Sequence, residues 1–123
     1  MIRALFLLFA TLLAPAPANA DEMRPGYLEF TQQNTAEWRL VWKAPLRGGV
    51  TPDRQPVLPR GCMLTGATER ERADAAVILT SAVRCKREVA GQSIGLSGFG
   101  ASQTDVLVRV SPLDRPVQVL RLT

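Results

Sequence analysis

Histidine is absent from the 123 residues. That excludes Ser-His-Asp and Cys-His nucleophilic arrangements, and it removes the imidazole ligands on which many zinc, nickel and copper sites depend. Aromatic residues are sparse, with four Phe, two Trp and one Tyr. Nucleic-acid surfaces usually combine a basic stripe with such rings. Here the cations are mostly Arg and are spread singly, and the densest group, Arg84, Lys86 and Arg87, is interrupted by Cys85. The net charge of +4 therefore reads as a solvated basic surface, and no nucleic-acid partner is expected. Long apolar runs are missing too. The run from Ala4 to Ala14 is about half of the roughly 20 residues that a helix needs to cross a bilayer.

That short run has another reading. Arg3 precedes it, Pro15 and Pro17 break it, and Ala18-Asn19-Ala20 places small residues where a signal peptidase reads. This is the three-part layout of a secretory signal peptide. Residues 1–20 are expected to be removed after Ala20, leaving a periplasmic or otherwise exported domain, 21–123, with no membrane span of its own. About a hundred residues make one domain with one core. Without Arg3, fourteen cations face eleven anions.

Both cysteines, Cys62 and Cys85, lie in the exported part. An even count in an exported chain suggests a disulfide. A metal pair or free thiols are the alternatives, and a metal pair would want more ligands nearby. Closing a loop of about 24 residues would stabilise the fold by roughly 3 kcal/mol in the chain-entropy account.

What remains reads as β-structure. In "YLEFTQ" Leu28 and Phe30 share one face, and Tyr27, Glu29 and Thr31 the other. In "AEWRLVWKA" Trp38, Leu40, Trp42 and Ala44 share a face opposite Arg39 and Lys43. Such alternation marks half-buried strands, and Gln33-Asn34-Thr35 suits a hairpin turn between them. Leu46 to Gly61 is a Pro- and Gly-punctuated connection with a short edge strand near Val57 and Leu58. "TERERADAAVIL" offers Thr68 and Glu71 as a helix-capping box. The unbroken alternation of Ala75, Val77, Leu79, Ser81, Val83 and Cys85 favours instead a strand over about 75–85, with 68–74 as a charged loop. Ile94 and Leu96 suggest a short strand weakened by Gly91, Gly95, Gly98 and Gly100. Residues 103–111 and 117–122 read as a terminal hairpin, with Val106, Val108 and Val110 facing the core. Six or seven short strands predict an all-β domain, a single antiparallel β-sandwich of immunoglobulin-like type. Its expected core is Leu28, Phe30, Trp38, Leu40, Trp42, Val106, Val108 and Val110, with the disulfide tying neighbouring strands.

Residues suited to acid–base chemistry are few. The first hairpin allows Glu29 and Glu37 to pair across it, but exposed strand carboxylates are usually solvated surface. Asp105, beside Thr104, is expected to bind turn backbone N–H groups. Ser93, Ser97 and Ser102 sit in a Gly-rich stretch with no Gly-x-Ser-x-Gly elbow on a strand–helix turn, and no Lys-Ser/Thr ending or following helix makes it a phosphate cradle. No catalytic residue, metal ligand set or cofactor is expected.

The blocks "RPGYLEF", "WRLVWKAP", "LPRGC", "IGLSGFGASQTDVLVRV" and "RLT" together resemble the extracytoplasmic N-terminal region of a subgroup of the HupE/UreJ family. Those are bacterial membrane proteins linked to hydrogenase and urease maturation and regarded as nickel permeases. The resemblance covers Arg24 to Thr123, with "TDVLVRV" and "WKAP" its most specific parts. It implies a non-catalytic accessory or partner-binding role, with a membrane bundle of the same family as partner. In the look-alikes the chain past "RLT" soon enters a membrane helix. The sequence is therefore expected to be either a piece of a longer protein or a free-standing outer domain. A periplasmic metal-binding module for nickel or a similar ion is the alternative. Two departures bear on it. Asp21-Glu22 stands where relatives often begin His-Glu, and the carboxylate of Asp21 is a hard donor poorly matched to nickel. Asp114-Arg115 replaces an Asp-Gly turn, so a different turn type is expected.

Overall fold

The structure is a computed structural model that describes residues 25–46, 54–97 and 105–122. The expected signal segment 1–20, Asp21-Glu22, Gly98, Gly100, Ser102, Gln103, Thr104 and Thr123 lie outside the described residues. The described chain is all-β. Its strands are β1 (Gly26–Gln32), β2 (Glu37–Pro45), β3 (Pro56–Val57), β4 (Cys62–Ala73), β5 (Ala76–Cys85), β6 (Gly95–Leu96), β7 (Val106–Ser111) and β8 (Gln118–Leu122). Six form one sheet in the order β4-β5-β2-β1-β7-β8, and β3 pairs with β6 in a second, two-stranded sheet. Among the described residues no helix is long and apolar enough to cross a membrane.

The period-2 pattern sets the core. Leu28 and Phe30 of β1 lie opposite Trp42 and Leu40 of β2, and opposite Val108 and Val110 of β7. β2 continues the same face into β5, with Trp38 opposite Val83 and Trp42 opposite Leu79. Leu28, Phe30, Trp38, Leu40, Trp42, Val106 and Val108 are buried, while Val110 is half-buried against them. Each buried Leu, Val or Phe contributes about 1.5–3 kcal/mol by removal of apolar area from water. Leu58, Val89, Ile94 and Leu96 pack on this face. The small sheet and its flanking loops thus form the second layer of a sandwich-like fold. The other face of the large sheet carries Glu29, Arg39, Lys43, Arg84 and Arg109.

Two local readings are corrected. Residues 68–74, expected as a charged loop, continue β4 to Ala73 and turn into β5 through Asp74 and Ala75. Asp74 has a positive φ of 42°, which Asp tolerates better than most residues. Thr68 caps no helix; its hydroxyl bonds that of Ser81 across to β5 at 2.8 Å. β4 is an edge strand exposed along almost all its length, so no apolar face was there to produce a hydropathic period. The second correction concerns strand direction. β1 and β7 run parallel, whereas every other pairing is antiparallel. A hairpin turn forces antiparallel neighbours, but β1 and β7 are joined through the rest of the domain and are free of that constraint.

Candidate partner-binding cleft

At the end of the sheet where β1 and β7 finish and β2 begins, the core face opens into a cleft of about 750 Å³. Its floor is apolar. Phe30 of β1 and Trp38 of β2 stack with ring centroids 4.4 Å apart and planes 13° from parallel. Val110, Val89, Ile94 and Cys85 extend that surface. Stacked rings held on paired strands make a rigid floor, because β-strand backbones and neighbouring side chains fix each rotamer.

Three connections wall the floor. The β1–β2 turn is closed by Asn34, whose Oδ1 accepts from the backbone N–H groups of Ala36 (3.1 Å) and Glu37 (2.9 Å). This is the local bonding for which Asn is favoured in turns. The β7–β8 turn is tied to β1 by the Leu113 N–H, which donates to Gln32 Oε1 at 2.9 Å. The segment after β5 starts at the disulfide. Cys62 and Cys85 are bonded and lie directly opposite each other on β4 and β5. Beside them Lys86 N–H donates to Gly61 O at 2.9 Å, and Cys85 N–H to Ala36 O at 2.8 Å. Gly61 sits at φ +81°, and the Arg87 stem lies so close that a β-carbon there would be 3.1 Å from Arg87 Cγ. A glycine is therefore required at this bend.

The rim is charged. Arg115 of the β7–β8 turn pairs with Glu88 of the opposite wall, bridging the cleft. Both side chains are well exposed, so the pair contributes little to stability. Lys86, Arg87 and Asp114 line the cleft as well. The rim thus carries three cations and two carboxylates, and one carboxylate is already engaged by Arg115.

The residues considered for chemistry in the sequence fall elsewhere. Glu29 points to the opposite face, where its carboxylate accepts from Tyr27 Oη (3.0 Å) and Thr31 Oγ1 (3.1 Å). Burial, reinforced by the hydrogen bond and charge of Glu29, pushes the Tyr27 phenol above its usual range, against a smaller opposing pull from Arg109. Glu37 does not oppose Glu29: β2 places Val41 opposite Glu29, and β5 places Arg84 opposite Glu37. The carboxylate of Asp105, expected on turn backbone, is held by Arg121 instead. Ser97 is structural; its Oγ accepts from Gln55 N–H at 3.1 Å and fastens β6 to β3. Of the two described serines of that stretch, Ser93 borders the cleft. Among the described residues no three His, Cys, Asp or Glu side chains are grouped to hold a metal ion.

The lining of the cleft comes from four separate stretches of chain, so no local sequence pattern marks it as a whole. The one local signal was the Lys86-Arg87-Glu88 run directly after a cysteine, a charge cluster next to a covalent anchor. Comparison with protein-family models, with curated proteins and with solved structures finds no match to this chain.

Proposed function

We propose that this domain is a non-catalytic binding module, the outer part of a HupE/UreJ-type membrane system, and that the cleft is where it meets its partner. The observation that supports this is the cleft's construction. Half-buried Val89, Ile94 and Val110 offer apolar area over the buried ring stack, and Lys86 and Arg87 stand beside it with no carboxylate paired to them among the described residues. Such a combination suits a protein segment that brings apolar and acidic side chains together. The disulfide suits an oxidising compartment, and periplasmic residence after loss of residues 1–20 belongs to the same proposal.

Co-expression of the tagged chain with a HupE/UreJ-type membrane bundle, followed by detergent purification, tests it. Wild type is expected to co-purify, and a Lys86→Glu/Arg87→Glu variant of unchanged melting temperature to lose the bundle. Wild type that never co-purifies, or a variant that binds equally well, would reject the reading. The same reading expects no tight nickel binding by the oxidised domain, since carboxylate and amide oxygens suit harder ions. Sub-micromolar nickel affinity in calorimetry would instead favour a metal-delivery role.

A further inference from the structure

Among the described residues the large sheet has two edges, β4 and β8, and they are defended very differently. A free strand edge presents unpaired N–H and C=O groups that invite another strand. β4 is interrupted by a register shift between Thr65 and Glu69, with Gly66 at φ +73°. It then carries Glu69, Arg70, Glu71 and Arg72. Pairing with β5 places Arg70 and Arg72 opposite Leu79 and Val77, on the core face, and Glu69 and Glu71 opposite Thr80 and Ile78, on the other. A two-fold axis relating antiparallel strands sets residues of the same face against each other. Pairing of β4 with its own copy about an axis at Arg70 or Glu71 therefore sets Arg against Arg and Glu against Glu, which is destabilising.

β8 has none of these defences. It contains no proline and no lysine, its register against β7 is unbroken, and the guanidinium of its sole cation, Arg121, is held back by Asp105. Of the eight exposed large hydrophobic residues among those described, five lie on the β7–β8 hairpin: Leu107, Leu113, Val117, Val119 and Leu120. Val119 and Leu120, on opposite faces of β8, are 64% and 53% exposed.

We infer that β8 is a self-association edge, which pairs antiparallel with β8 of a second copy of this chain about a two-fold axis at Val119. In that register Val119 meets Val119 of the partner subunit, and each Gln118 lies opposite a Leu120. Each Val117 packs on the aliphatic stem of an Arg121, and no like charges face each other. Val119 and Leu120 each gain a neighbour on their own face of the sheet, and the two six-stranded sheets become one. Because the axis is perpendicular to the sheet, both core faces look the same way. Gln118 and Leu120 also line the cleft, so the dimer sets two clefts side by side.

Sedimentation of the purified chain over a concentration series tests this, with Val119→Lys, Leu120→Lys and, on the other edge, Met63→Lys. All three substituted residues are more than half exposed, so each variant is expected to fold, as circular dichroism and melting will check. Wild type is expected to sediment as a dimer. Val119→Lys is expected to weaken the dimer about tenfold or more by facing two ammonium groups across the axis, and Met63→Lys to leave it unchanged. Wild type that stays monomeric at the highest attainable concentration overturns the inference. So does a dimer indifferent to Val119→Lys, or one lost with Met63→Lys.

Discussion

Gly26 shows how a single missing side chain can be required by a large one. It opens β1, is buried, and needs no unusual backbone angle. A β-carbon there would stand 2.7 Å from Trp42 Cη2, 3.0 Å from its Cζ3 and 3.2 Å from Val106 Cγ2. Trp42 is itself 2% exposed, so the ring has nowhere to retreat. Gly26→Ala is expected to destabilise the fold by about 1–3 kcal/mol, the usual range for overpacking, as a lower denaturant midpoint with unchanged slope. A second residue-scale expectation concerns pH. The phenol of Tyr27 is raised in the folded state by burial and by Glu29, while the unfolded chain titrates near pH 10. Below that pH the phenol is neutral in both states. Above it the unfolded state ionises first, so stability falls as pH rises from about 10 through the folded value. Tyr27→Phe is expected to flatten this alkaline slope. Tyr27 is the only tyrosine in the sequence, so phenolate absorbance in wild type reads its titration directly.

At the scale of elements, legibility followed burial. β1, β2, β5 and β7 each bury one face, so their apolar residues recur at every second position and the strands could be read off. β4 was misread because an exposed edge strand has no face to bury; its four alternating charges mimic a loop or a helix start. β8 shows the pattern weakly for the same reason. Alternation also says nothing about which strands become neighbours, so the parallel β1–β7 pair was out of reach. The hairpin of β7 and β8 makes the energetic contrast testable. Val108 is 1% exposed and central in β7. Val108→Asp would bury a charge opposite Leu28 in the apolar core, costing several kcal/mol, a large part of the about 5–15 kcal/mol that holds a typical domain folded. Loss of the cooperative thermal transition is the expected outcome. Arg109 is exposed on the other face, opposite Glu29. Arg109→Asp would set two carboxylates across the pair, for a cost of roughly 0.2–1 kcal/mol, and should still melt cooperatively. Deleting residues 116–123 removes one neighbour of β7 but leaves its pairing with β1. A lower melting temperature is expected, rather than the complete unfolding that a free-standing hairpin would suffer.

At the scale of the molecule, the disulfide has two distinguishable roles. As a crosslink between positions 23 apart in sequence, it lowers the entropy of the unfolded chain, and removing it should cost about 2–5 kcal/mol wherever it sits. Its placement adds a second role. Cys62 follows the bend at Gly61, and Cys85 launches the segment that carries Lys86, Arg87, Glu88, Val89 and Ile94 along the cleft. Among the described residues that wall is otherwise held by few bonds: Lys86 N–H to Gly61 O, Gln92 N–H to Val89 O and the exposed Glu88–Arg115 pair. The interior strands have continuous ladders and the buried rings. Reduction is therefore expected to act unevenly. Amide exchange should rise most over residues 60–64 and 86–94, while β1, β2 and β7 keep most of their protection, since local opening samples the least supported segments first. A Cys62→Ser/Cys85→Ser variant should behave in the same way as the reduced protein. If exchange instead rises equally in every strand, the bond acts only through the unfolded chain, and the cleft wall stands without it. Uneven loss would mean that the covalent link sets the shape of the cleft, and a redox change would reach the cleft before it reached the core.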